Sequence, residues 1–208
     1  MSIFFRKNSA KSSGELHPRG AIRAVLAYLA ELVQVVLISL AIIIPIRYLL
    51  VQPFYVKGAS MEPNFYDKEY LIIDEISYRF REPERGDIVV FRYPLDPSQF
   101  FIKRIIGLPG ERVRISGGQV TVFNSANPQG KIVDESKYLG GAFTVGEKTI
   151  TLRADEFYLL GDNRNASMDS RVFGPVKRKL IIGRVWLRGW PIDKAMAFSA
   201  PSYPDLGN

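Results

Sequence analysis

The pattern of apolar and polar positions divides the chain in two. Aliphatic residues crowd the stretch from Ala24 to Val51, and between Leu32 and Val51 only Gln34, Ser39 and Arg47 interrupt them. About 20 residues at a rise of ~1.5 Å each cross a hydrocarbon core of roughly 30 Å, so the pattern predicts a transmembrane anchor helix over 32–51. Pro45 is compatible with such a helix at the expense of a kink, and Arg47 sits where its side chain can snorkel to the interface. The competing assignment is a buried core helix, but no amphipathic helices follow that could surround it.

From Phe54 onward the period changes to short β-rich runs punctuated by turn residues. Strands are expected at Tyr70–Ile73, Asp87–Phe91, Phe100–Ile106, Arg112–Ile115, Val120–Phe123, Thr149–Leu152, Phe157–Leu160 and Ile181–Leu187. Pro109-Gly110 suits a type II turn and Gly117-Gly118 a tight hairpin. The expected fold class is mostly β: an antiparallel β-sheet domain over 52–198 preceded by one transmembrane helix. Residues 119–148, richer in Asn, Gly, Lys and Ser, are expected to form a small β-rich excursion, and the tail 199–208, with two prolines and no period, to be disordered.

Composition then removes several kinds of chemistry. The chain has 208 residues and no cysteine, which excludes disulfides, thiolate metal sites and cysteine nucleophiles. Its one histidine, His17, precedes the apolar run and cannot serve a site beyond a membrane, so a Ser-His-Asp triad is not expected. The net charge of +7 comes from basic residues scattered among acidic ones, without the basic stripe and interleaved aromatics of a nucleic-acid surface. Arg6, Lys7, Lys11, Arg19 and Arg23 against Glu15 and Glu31 place residues 1–31 in the cytoplasm and the β domain outside. Gln52-Pro53-Phe54-Tyr55 after the run is no cleavage site, so the helix is expected to remain as an anchor.

Three segments carry candidate chemistry. In Gly58-Ala59-Ser60-Met61-Glu62-Pro63 a serine stands among small residues, a setting shared by many surface turns, and its hydroxyl needs a base to become nucleophilic. On a strand, Phe101, Lys103 and Ile105 share one face, and Ile102, Arg104 and Ile106 the other. A lysine between apolar neighbours is desolvated, which lowers its pKa and makes it a candidate general base, whereas an edge-strand lysine that blocks aggregation is the plainer reading. The polar stretch Gly161 to Arg171 follows an apolar strand and alternates carboxylates with arginines, while Arg164 and Ala166 occupy positions that a calcium loop would need for oxygen ligands. No metal and no cofactor is expected.

In this order and spacing the segments resemble those of the type I signal peptidases. The resemblance rests on Gly58 to Pro63, Gly86 to Phe91, Phe101 to Glu111 and Gly161 to Val176. It implies a membrane-bound serine endopeptidase that removes signal peptides from preproteins after a small-x-small motif. Ser60 would be the nucleophile, Lys103 the general base, and Ser167 a hydrogen-bonding partner that orients the amine. Asp162, Asp169, Arg104 and Arg171 would form the supporting ion pairs. Phe54, Val56, Phe65, Phe101 and Ile102 match positions lining two shallow apolar pockets, with the substrate bound as an added strand.

The resemblance also implies preproteins and membrane lipid as partners and a single-pass location in the plasma membrane. One departure concerns the oxyanion hole: where several members have a serine, this chain has Gly58, so the Ser60 amide, helped by the Gly58 amide or a water, must stabilise the oxyanion. Asn64 likewise replaces a common threonine. Two other readings use the same residues: a self-cleaving Ser-Lys protein, which would carry a DNA-binding helix pair, and a tethered scaffold, in which Ser60 and Lys103 would lie far apart.

Overall fold

A computed structural model describes residues 18–45 and 51–206, which form two units, Met1–Pro45 and Ile46–Asn208. In the first, one helix runs from Pro18 to Pro45, and its stretch Ile22–Ile44 is long and apolar enough to cross a membrane. A helix that is apolar all round needs a nonpolar surrounding, and every large apolar side chain from Ile22 to Ile44 is at least 45% exposed. The helix begins well before the expected start at Leu32. Residues 46–50, with Arg47, lie outside the described residues, as does His17, and Val51 already belongs to a strand.

The second unit is built from strands β1 (Val51–Tyr55), β2 (Tyr70–Asp74), β3 (Ile88–Tyr93), β4 (Asp96–Gly107), β5 (Arg112–Ser116), β6 (Gln119–Phe123), β7 (Lys131–Ile132), β8 (Lys148–Thr151), β9 (Glu156–Leu160), β10 (Val176–Lys177), β11 (Ile181–Trp190) and β12 (Met196–Ala197). An eight-stranded sheet has the order β1-β2-β11-β3-β4-β9-β10, with β12 added to β11, and a four-stranded sheet the order β7-β6-β5-β8. All pairings are antiparallel.

Burial follows the alternation of the sequence. In β4, Phe101 and Ile105 pack with Phe91 and Phe157 on one face of the main sheet, while Ile102 packs with Val56, Phe65 and Val90 on the other. The small sheet has its own core of Val113, Ile115, Val120 and Val122, which extends to Ile106 and Tyr158 of the main sheet.

Two expectations are corrected. The excursion starts at Arg112 rather than near residue 119, because β5 pairs with β6 and β8 and with no strand of the main sheet. Residues 201–206 are packed rather than disordered: Tyr203 and Leu206 are buried in the core shared by the two sheets, and Asn124 donates to the Leu206 carbonyl at 2.7 Å. Burial of these two apolar side chains outweighs the ordering entropy of a short proline-containing segment.

One feature of the main sheet matters most for the site. Strand β4 pairs with β3 from Phe100 to Arg104, but β9 joins its other side only from Arg104 onward. The segment Gln99–Lys103 therefore presents an open edge.

Candidate active site

The turn after β1 carries Ser60 and is fixed from several directions. Glu62 N–H donates to the Ala59 carbonyl, and the amides of Asn64 and Phe65 both donate to the carbonyl of Met61. Arg188 donates to the Asn64 carbonyl at 3.3 Å while it holds Glu69 at 2.7 Å. From across the site, the Asn163 amide donates to the Ser60 carbonyl at 3.1 Å and its side-chain Nδ2 to the Ala59 carbonyl at 3.0 Å.

Lys103 approaches this turn from β4. Its Nζ lies 2.8 Å from Ser60 Oγ and 2.8 Å from the Ile102 carbonyl, and 5.5 Å from the centre of the Phe101 ring. The side chain is buried, and burial pulls the lysine pKa down to about 8, with Asp169 and Asp162 partly opposing the shift. A buried ammonium is poorly solvated, so the neutral amine becomes accessible near neutral pH. The scaffold reading required Ser60 and Lys103 to be apart; hydrogen-bond contact between them removes it.

The polar segment after β9 supports both residues. Arg104 grips Asp162 through two bonds, Nε to Oδ1 at 2.8 Å and Nη2 to Oδ2 at 2.7 Å, and donates to the Gly86 carbonyl at 3.0 Å. This pair ties the segment to the lysine strand as expected. Asp169 and Arg171 instead pair within the segment, where the Asp169 carboxylate also accepts the Gly161 amide at 3.1 Å. Burial disfavours the Asp169 carboxylate, but Arg171 and the Gly161 amide prevail and hold its pKa below the ordinary value.

Gly161 has to be glycine: a Cβ there would lie 2.5 Å from both the Ser60 carbonyl oxygen and Ser167 Cβ. Ser167 is therefore next to the turn, and its buried hydroxyl lies near the Asp169 carboxylate, whose charge it favours, without a well-formed hydrogen bond. The expected bond from Ser167 to the lysine is not formed; the amine is engaged by Ser60 and the Ile102 carbonyl instead.

Two further positions differ from expectation. The Gly58 amide donates to Asp67 Oδ1 at 2.8 Å, so it is committed away from an oxyanion. Phe65 is 0% exposed and packs against Phe198 with ring centres 4.6 Å apart, which makes it core rather than pocket wall. By contrast Phe54, Val56, Phe101 and Ile102 line a cleft of about 540 Å³ together with Ser60 and Lys103.

Residues that the sequence did not single out also hold the site. Asn64 Nδ2 donates both to Asp162 Oδ2 at 2.9 Å and to the Tyr138 carbonyl at 2.8 Å, and the Tyr138 ring lies under Arg104 at 4.1 Å. Arg164 pairs with Glu135 at 2.5 Å and donates to the Gly161 carbonyl at 2.9 Å, joining the segment to the connection between β7 and β8. Only the replacement of threonine by Asn64 signalled any of this. The partners of Asn64 lie more than 70 positions away, and no local pattern marks them.

A hydroxyl held against a desolvated amine on the wall of an apolar cleft is the equipment of a serine hydrolase, with lysine in the place more often filled by histidine. The family model and the curated relatives agree on the particular kind. Residues 29–190 match the family model described as signal peptidase, peptidase S26. A probable signal peptidase I-2 of Synechocystis is 39% identical over 170 residues, covering 79% of this chain and 74% of that protein. A signal peptidase I of Leptolyngbya laminosa is 36% identical over 181 residues, 83% and 85% of the two chains. A solved signal peptidase I from Enterococcus faecalis is 30% identical, with a TM-score of 0.43 over 50% of this chain and 97% of that one. The chain belongs to the S26 signal peptidases, enzymes that remove signal peptides.

Proposed function

We propose that Ser60 is the nucleophile and Lys103 the general base of this signal peptidase. The observation that carries the assignment is the 2.8 Å contact between Lys103 Nζ and Ser60 Oγ, with the lysine buried and its pKa lowered. Neutral Lys103 takes the hydroxyl proton as Ser60 Oγ adds to the scissile carbonyl carbon, and the carbonyl electron pair moves onto oxygen. Collapse of the adduct expels the amine of the mature protein, protonated by Lys103, and leaves the signal peptide esterified to Ser60. Lys103 then activates the water that hydrolyses the ester. Esterification deprives the amine of its Ser60 partner, and the buried Ser167 hydroxyl beside the turn is available to orient it in that second step.

The open edge of β4 suits a substrate added as an extended strand, with main-chain bonds to Gln99–Lys103 and alternate side chains facing the cleft. Phe54, Val56, Phe101 and Ile102 line the cleft and would limit those side chains to small residues, the basis for cleavage after small-x-small. The helix Pro18–Pro45 would anchor the enzyme in membrane lipid, and the basic residues before it favour a cytoplasmic N-terminus and a β domain outside.

The test is cleavage of a preprotein by detergent-solubilised enzyme and by its Ser60→Ala and Lys103→Ala variants. Both variants are expected to lose detectable turnover while remaining folded. Wild-type turnover by either one overturns the assignment.

A further inference from the structure

The oxyanion hole lacks a side-chain hydroxyl at Gly58, and the Gly58 amide is bound to Asp67. The Ser60 amide is the donor left over: Ser60 lines the cleft, and among the described residues its N–H meets no protein acceptor. What holds that N–H in place can be read from the peptide that contains it. A trans peptide is planar, with its C=O and N–H pointing in opposite directions. The Ala59 carbonyl and the Ser60 N–H share one such plane, so a group that fixes the carbonyl also aims the N–H.

Two groups hold that carbonyl, the Glu62 amide at 3.2 Å from within the turn and the Asn163 side chain from across the site. Asn163 Nδ2 donates to the Ala59 carbonyl at 3.0 Å, while its Oδ1 accepts from the Ala166 amide at 3.3 Å and its own backbone amide holds the Ser60 carbonyl at 3.1 Å. An acceptor on one side and a donor on the other settle which way the side-chain amide is turned. We propose that Asn163 is a positioning residue for the oxyanion hole: its side chain anchors the Ala59–Ser60 peptide so that the Ser60 N–H faces the developing oxyanion. The inference rests on Ser60 being the nucleophile, and it assigns to Asn163 the control of the remaining donor.

Removal of one oxyanion donor typically reduces turnover about 10²- to 10³-fold, so a donor that is present but loosened should cost about 10- to 100-fold in kcat. Asn163→Asp keeps an oxygen for the Ala166 amide and loses the donor to Ala59; it also adds a carboxylate, so the enzymes are compared on the alkaline plateau, where Lys103 is neutral. Asn163→Ala removes both bonds. The backbone bond to the Ser60 carbonyl survives in each variant, so the turn stays attached.

Preprotein cleavage by the full chain in detergent, with kcat and KM resolved across pH, is compared with inhibition by a peptide aldehyde that ends in a small-x-small sequence and forms a hemiacetal with the nucleophile. Both variants are expected to lose kcat on the alkaline plateau with KM little changed and to bind the aldehyde more weakly by the same factor as kcat falls; the acid-limb midpoint should stay near 8 in Asn163→Ala, which adds no charge. Wild-type kcat in Asn163→Asp beside a slow Asn163→Ala means that the side chain merely braces the 163–166 turn, which overturns the proposal. So does a loss of kcat accompanied by unchanged aldehyde affinity. The Ser60→Ala and Lys103→Ala enzymes separate the two levels of failure. If they still turn over, the assignment of the nucleophile and base fails. If they are inactive and Asn163→Asp is not impaired, only the role of Asn163 fails.

Discussion

Replacing Lys103 by methionine should stabilise the protein while it abolishes catalysis, and the size of the gain should depend on pH in a defined way. The amine titrates near 10.5 in the unfolded chain and near 8 in the native one. At 1.36 kcal/mol for each tenfold change in proton affinity, the charged lysine opposes folding by about 3 kcal/mol. The unfolded chain binds the extra proton between pH 8 and 10.5, so wild-type stability rises with pH across that window and the full penalty applies below it. Methionine has similar volume and no charge. It forfeits the hydrogen bond to Ser60, worth about 1 kcal/mol, and leaves a net gain of roughly 2 kcal/mol at pH 6.5. The gain should vanish as the pH passes 10.

Equilibrium urea unfolding of the detergent-solubilised chain would measure this. Trp186 and Trp190, the two tryptophans, both lie on β11 and report on the β domain. A Lys103→Met protein less stable than wild type at pH 6.5, or a difference between the two that does not shrink toward alkaline pH, would refute the claim that the native amine is destabilised by desolvation.

Other outcomes follow from the same geometry. The kcat/KM of the wild-type enzyme should fall about tenfold per pH unit below 8 with a single ionisation, since the base must be neutral; a flat profile down to pH 6 contradicts the lysine as base. Gly161→Ala would push a methyl against the Ser60 carbonyl and Ser167, and because a shift of about 1 Å at a nucleophile can lose about 10²-fold, turnover measured on a preprotein should drop by that order. Phe65→Leu should lower stability by about 1 to 2 kcal/mol in a denaturation curve and leave the preference for small substrate side chains unchanged, as expected of a core residue. A changed side-chain preference in a library of cleavage-site variants would restore Phe65 to the pocket.

What could be read from the sequence was whatever has a short period or a distinctive residue type. Apolar alternation located most strands of the main sheet, and Lys103 in β4 stood out because its neighbours on the same strand face, Phe101 and Ile105, are both apolar. The boundary between the sheets was hidden, since Gly107-Leu108-Pro109-Gly110 looks the same whether the chain folds back on its own sheet or leaves it. Only the partners of β5 tell the two cases apart. Phe65 was misplaced for a related reason: the resemblance matched it to a position that lines a pocket, but its ring turns to Phe198, more than a hundred positions downstream. Asn64 and Asn163 are ordinary turn residues by type, and their significance comes entirely from the carbonyls and the carboxylate that the fold brings to them.

The packed segment at 201–206 bears on when the enzyme can be assembled. Pro201 and Tyr203 lie against Gly86, whose carbonyl accepts from Arg104; the Tyr203 hydroxyl donates to that of Tyr138 at 3.3 Å, and the Tyr138 ring lies under the Arg104 guanidinium. Arg104 in turn fixes Asp162 beside the lysine strand. A chain made from its N-terminal side thus contains Ser60 and Lys103 long before the residues that brace them. Until Tyr203 docks, the nascent peptidase holds Ser60 and Lys103 in an unfinished frame, which would delay proteolytic competence until the 201–206 segment has been made.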